Sequence, residues 1–183
     1  MKTTHTHRGH CQACGAIQAI DNTTGLLAKH GYRVAGFGYF MGVCPGAGHQ
    51  SLEKERAYTD FIIADMRRLA AEYAQHALDL TAGKIHPDTV DTGVRDDSNP
   101  NVPIWKRPTI RVPFAQGTEY QQKRAVELAV SAAERESRAH NVHGDMLAKL
   151  AADIYGKDTL PVKTKEPPAR IYDGLKFNGG AKA

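Results

Sequence analysis

Apolar residues fall on one helix face in two stretches of the chain. Ile62, Met66, Leu69, Tyr73, Ala77 and Leu80 recur at spacings of four, three, four, four and three, which is the period of an amphipathic helix. Ser51 stands ahead of this run as an N-cap, Glu53 and Glu55 sit in the first turn, and Gly83-Lys84 supplies a C-terminal stop. The pattern predicts a helix over about 51–82. Leu128, Ala132, Ala139, Val142, Met146, Leu150 and Ile154 repeat with the same period and end at Gly156. Thr118-Glu119-Tyr120-Gln121 ahead of them reads as a capping box, in which hydroxyl and amide satisfy the orphan donors of a helix start. A second helix is expected over about 118–155, loosened or bent at Gly144.

Outside these stretches the texture changes. Over Leu26–Cys44, Tyr32, Val34, Phe37, Tyr39 and Phe40 are interleaved with glycine, which predicts two or three short strands. Residues 84–117 carry Pro87, Pro100, Pro103, Pro108 and Pro113, making a linker longer than ordinary helix connections. Its only strand-like piece is Thr109-Ile110-Arg111-Val112, and the lone tryptophan, Trp105, lies beside Lys106 and Arg107. From Lys157 the chain is rich in Lys and Pro and reads as a mobile or partner-bound basic tail. The expected fold class is therefore α+β. A small zinc-ribbon-like β module over 1–50 precedes an antiparallel, coiled-coil-like helical hairpin over 51–156, followed by an extended tail over 157–183.

Candidate chemistry concentrates in the first of these parts. Cys11-Gln-Ala-Cys14-Gly15 places two sulfurs in one tight turn, and Cys44-Pro-Gly-Ala-Gly-His49 offers a third sulfur and an imidazole in a second. Zinc favours four such donors in a tetrahedron, delivered by two short turns. An odd count of cysteines, three, cannot pair fully within the chain, and the spacing suits metal ligation better than a disulfide framework. The expected ligands of one structural zinc ion are Cys11, Cys14, Cys44 and His49, with His7, His10 and His30 as alternatives for the fourth position.

Charge and composition add a partner but no reaction. Hydrophobic residues make up 41% of the chain and charged residues 24%, with a formal charge of +4. The excess sits at the two ends, since residues 1–50 and 157–183 each carry a net +3. Arg8, Lys29 and Arg33 with Tyr39 and neighbouring rings form a basic and aromatic mixture of the kind that contacts phosphates and stacks bases. Trp105, Lys106 and Arg107 are a second candidate contact cluster for nucleic acid or a protein partner. The same aromatic residues equally suit a small ribbon core. No apolar run reaches membrane-spanning length, so no membrane partner is expected, and the metal-type cysteines point to a reducing, cytoplasmic compartment.

Other titratable groups read as ordinary surface. His140 and His143, with Asp145 nearby, are expected on a solvated helix face, and Asp96-Asp97 to do turn chemistry. A His-Asn-His nuclease would need a histidine base and further ligands close after the second turn, where SLEKERAY begins a helix instead.

HRGHCQACGAIQAI, LLAKHGYRV and GVCPGAGHQSLE, followed by the helices and the PVK tail, resemble small, uncharacterised zinc-finger proteins encoded by tailed bacteriophages. The resemblance implies a phage origin, hence the host cytoplasm or a virion. It carries over only Cys11, Cys14, Cys44 and His49 as metal ligands, and no catalytic residue. The function expected is a non-enzymatic accessory module that binds nucleic acid or a host protein. The competing expectation is an assembly protein that forms homo-oligomers through its helices.

Overall fold

Ten residues after its first strand begins, the chain has already returned to pair with that strand, and this tight folding back sets the N-terminal architecture. In order, the computed structural model, which describes residues 5–34, 36–40 and 42–161, contains β1 (His7–His10), β2 (Ile17–Ala19), β3 (Tyr32–Val34), β4 (Gly38–Phe40), α1 (Ala57–Thr81), β5 (Thr89–Arg95), β6 (Thr109–Pro113), α2 (Glu119–Ile154) and β7 (Leu160–Pro161). The class is α+β, with two helices and small antiparallel sheets. Two compact units result, one from Met1–Arg67 with Asn141–Ala183 and one from Arg68–His140. This differs from the boundaries at 50 and 156 expected from the sequence. The start of α1 and the end of α2 share buried groups with the cysteine-bearing segment, so both belong to its unit. Residues from 162 onward, most of the expected tail, lie outside the described residues.

In the first unit β1 is the central strand of the order β2-β1-β7. Arg8 lies opposite Ala19 on one side and Leu160 on the other. A separate ladder pairs β3 with β4, Tyr32 opposite Phe40 and Val34 opposite Gly38.

The stretch expected to start the first helix at Ser51 is instead a buried turn, and α1 begins at Ala57. Glu53 explains the shift. Its carboxylate accepts the His10 backbone N–H at 3.0 Å and lies 2.6 Å from His10 Nδ1, while the Leu52 N–H donates to the His10 carbonyl at 2.8 Å. Burial by itself would raise the Glu53 carboxyl, but the bonds from His10 outweigh it and hold the group below the ordinary carboxylate range. A carboxylate so engaged cannot serve a helix start. Leu52 then packs with Leu150, Ala151 and Ile154 near the end of α2. Gly144 is buried and does not interrupt α2. A Cβ built on it would meet Met66 Cβ at 3.5 Å, so it marks a close approach of α2 to α1.

In the second unit the remainder of α1 buries Ala70, Ala77 and Leu80, α2 buries Ala133, and the Ser137 hydroxyl donates to the Ala70 carbonyl at 2.9 Å. Such small side chains bring two helices close while burying little apolar area each. The capping box is formed: the Thr118 N–H donates to Gln121 Oε1 at 2.9 Å and the Gln121 N–H to Thr118 Oγ1 at 3.3 Å.

The proline-rich stretch holds more structure than its one expected strand. β5 and β6 pair, Val90 opposite Val112 and Asp91 opposite Arg111. Val90 is buried, and a Cβ on Gly117 would lie 2.5 Å from its Cγ2. Arg107 closes the loop between the two strands, donating to the carbonyls of Val102 at 2.7 Å and Pro100 at 3.2 Å and pairing with Asp97.

Candidate metal centre

Two tight turns and one strand lead-in bring four donors together. In the first turn the Gly15 N–H donates to the Cys11 carbonyl and the Cys11 N–H to the Ala16 carbonyl, both at 2.9 Å. This reciprocal closure points both sulfurs to one side, and it needs the left-handed backbone of Gly15, whose φ is 71°. The Ala13 N–H reaches Cys11 Sγ at 3.4 Å. In the second turn the Ala47 N–H donates to the Cys44 carbonyl at 2.9 Å. Gly46 is required there for space, since a Cβ would fall 2.3 Å from Cys11 Sγ. The Cys44 N–H donates to the His30 carbonyl at 2.8 Å, which sets His30 beside Cys44 just ahead of β3.

The ligand atoms of Cys11, Cys14, His30 and Cys44 all lie within 4.8 Å of one another. Cys11 Sγ and Cys44 Sγ are 3.7 Å apart, as are Cys14 Sγ and His30 Nε2. Sulfurs bound to one tetrahedral zinc at about 2.3 Å stand about 3.8 Å apart, so the spacing fits a shared ion. It is far too long for the roughly 2.05 Å of a disulfide bond. His30 Nδ1 donates to the Ala28 carbonyl at 2.8 Å. That bond leaves Nε2 as the nitrogen that could ligate a metal, the usual outer-shell device for a metal-binding imidazole.

The electrostatics of the bare thiols follow from the crowding. Hydrogen bonds from Cys14 and then Cys44 pull the Cys11 thiol far below its ordinary value, and the same contact with Cys11 drives Cys14 well above it. His30 is raised, chiefly by its bond with Cys11. Crowding thus favours one thiolate and raises both Cys14 and Cys44, chiefly through Cys11, and a bound divalent cation would favour the ionised form of all three.

The histidine that clusters with the three cysteines is His30, one of the alternatives for the fourth position. His49 is not among the clustered donors, although the three cysteines are. After the second turn the chain is held to Leu27, whose N–H donates to the His49 carbonyl at 2.9 Å. The His49 ring instead stacks flat on Tyr58, with centroids 4.3 Å apart. His10 is engaged by Glu53, and His7 is exposed on β1.

Gln12, between the first two ligands, was not singled out by any spacing, and it is fully buried. Its Oε1 accepts the N–H groups of Tyr58 at 3.1 Å and Thr59 at 3.2 Å. Its Nε2 donates to the Gln50 carbonyl at 3.0 Å, and its own carbonyl accepts the Thr59 hydroxyl at 3.0 Å. The metal turn thus caps the first turn of α1, doing from a distance what an N-cap residue does locally.

The other expected contacts are dispersed. Arg8 and Lys29 are exposed in the first unit. Arg33 and Tyr39 face each other across β3 and β4, and their side chains lie outside the described residues. In the second unit Trp105 is 69% exposed, with Lys106 Nζ 4.7 Å above its ring, whereas Arg107 is spent on the loop. His140 and His143, expected on a solvated face, are both buried. His140 Nδ1 donates to the Glu136 carbonyl at 2.7 Å, and its ring packs on Tyr73. Asp96 accepts the Ser98 N–H at 2.9 Å, which is turn chemistry.

Compared with family models, with curated proteins and with solved structures, the chain finds no match in any of the three. Among the described residues no helix is long and apolar enough to cross a membrane.

Proposed function

We propose that this chain is a non-enzymatic binding module whose first unit is held together by one structural zinc, bound by Cys11, Cys14, Cys44 and His30. The observation that carries this is the mutual approach of those four donors within 4.8 Å. Three thiolates and one imidazole fill a tetrahedron, so no position remains for a reacting water, and a closed set of this kind is structural. Set between two short antiparallel ladders, the site is zinc-ribbon-like.

Its partner in this reading is single-stranded nucleic acid, as for an accessory protein of a phage. The support is electrostatic. Residues 1–50, which carry the three cysteines and His30, hold four Lys and Arg against one Asp, a net +3. That excess lies in the segment that bears the clustered donors, and phosphate attraction favours it. Fluorescence anisotropy with a labelled single-stranded oligonucleotide tests this. Affinity is expected to fall steeply, with log K linear in log salt, between about 50 and 200 mM. Absence of binding even at the lower salt overturns it.

A second reading, assembly through the helices, draws on Tyr120 and Leu128, large apolar side chains left exposed on α2. Concentration-dependent oligomers indifferent to nucleic acid would favour it.

A further inference from the structure

Three rings lie parallel at the start of α1. His49 and Tyr58 stack with an interplanar angle of 2°, and Tyr58 and Phe61 are parallel to within 10° with centroids 6.3 Å apart. Tyr58 and Phe61 stand one helical turn apart, the spacing that brings side chains over one another. The series ends at Phe61, which is 65% exposed. A cleft of about 340 Å³ opens beside it, lined also by Tyr32, Pro45, Ile62 and Met66, with Asp65 and His143 among its polar groups. A volume of that order matches small-ligand sites built from apolar walls and a few polar groups.

A large aromatic side chain left in water on the first turns of a helix does not serve the core. The neighbouring core cluster is Cys11, Ala13, Cys14, Leu27 and Cys44, with Tyr58 and Ile62 but not Phe61 packed against it. The parallel series is selective for flat partners. A nucleobase offers a rigid planar face that extends such a series, whereas pairs of aromatic side chains readily adopt edge-to-face arrangements. The charge argument points the same way, because residues 1–50, which contribute Tyr32 and Pro45 to the cleft, carry a net +3.

We propose that Phe61 and Tyr58, with the adjoining cleft, form a stacking site for one base of single-stranded nucleic acid. This rests on the nucleic-acid reading above and adds residues that the sequence did not mark. The probe is a labelled single-stranded deoxyoligonucleotide, together with the same length of abasic strand, against wild type, Phe61→Ala and Phe61→Tyr. Stacking on one ring is typically worth enough that its loss weakens binding roughly 5- to 150-fold. Phe61→Ala is therefore expected to lose about ten-fold or more, with its salt slope, zinc content and circular dichroism unchanged. Phe61→Tyr restores affinity, and the abasic strand binds wild type as weakly as the normal strand binds Phe61→Ala. If wild type binds while Phe61→Ala or the abasic strand binds equally well, the stacking site is wrong and the nucleic-acid reading survives. If wild type binds neither strand, both fail together.

Discussion

Cys11→Ser is expected to abolish metal retention and unfold the metal-bearing unit. Cys11 is fully buried. Its sulfur lies 3.7 Å from Cys44 Sγ, its carbonyl closes the first turn, and Gly46 leaves it room. Three of the five members of the buried cluster around this site are the donors Cys11, Cys14 and Cys44 themselves, leaving Ala13 and Leu27. A core of that size buries too little apolar area to hold its strands. Structural zinc can contribute roughly 10–16 kcal/mol of apparent binding free energy at neutral pH, which exceeds the whole stability of many small domains. Zinc content measured by plasma mass spectrometry should fall from about one per chain to near zero. Chelation of the wild type should reproduce the loss of dichroism. A variant that keeps its thermal transition without metal would show that the unit stands on other contacts.

Gln12→Ala is expected to be the costliest substitution outside the ligands. It removes the acceptor for two N–H groups at the start of α1 and the donor to the Gln50 carbonyl, and leaves a hole where a fully buried side chain stood. Loss of a helix cap costs about 0.5–2 kcal/mol, and leaving buried polar partners unsatisfied adds about 1–3 kcal/mol. A loss of roughly 2–4 kcal/mol in denaturant titration is therefore expected, with zinc still bound at about one per chain. A change within about 0.5 kcal/mol, the range of ordinary surface substitutions, would show that α1 starts without help from the metal turn.

Both predictions turn on what could and could not be read from the chain. The helical period marked where α1 and α2 run, and the Thr118/Gln121 box marked the start of α2, because these signals are local. The start of α1 was misplaced because its caps come from far away. Glu53 is drawn to His10, and the N–H groups of Tyr58 and Thr59 are satisfied by Gln12, more than forty residues earlier in the chain. The three cysteines were legible from spacing, since two thiols separated by two residues have few other uses. The fourth ligand was not. Spacing favours His49 over His30, but backbone bonds from Cys44 to His30 and from Leu27 to His49 decide which ring turns inward. Long-range pairing also hid β5, which has no partner until β6 arrives beyond a loop closed by Arg107. The buried His140 and His143 show the same limit, because the polarity of a residue says little about which face of a helix meets a neighbour.

The most direct test of the account is X-ray absorption at the zinc edge on wild type, His30→Ala and His49→Ala, each purified without added metal. Wild type should show three sulfur neighbours at about 2.3 Å and one nitrogen at about 2.0 Å. His49→Ala should match it, while His30→Ala loses the nitrogen or the ion. A folded wild type free of zinc, or a spectrum altered by His49→Ala and untouched by His30→Ala, would contradict the centre described here.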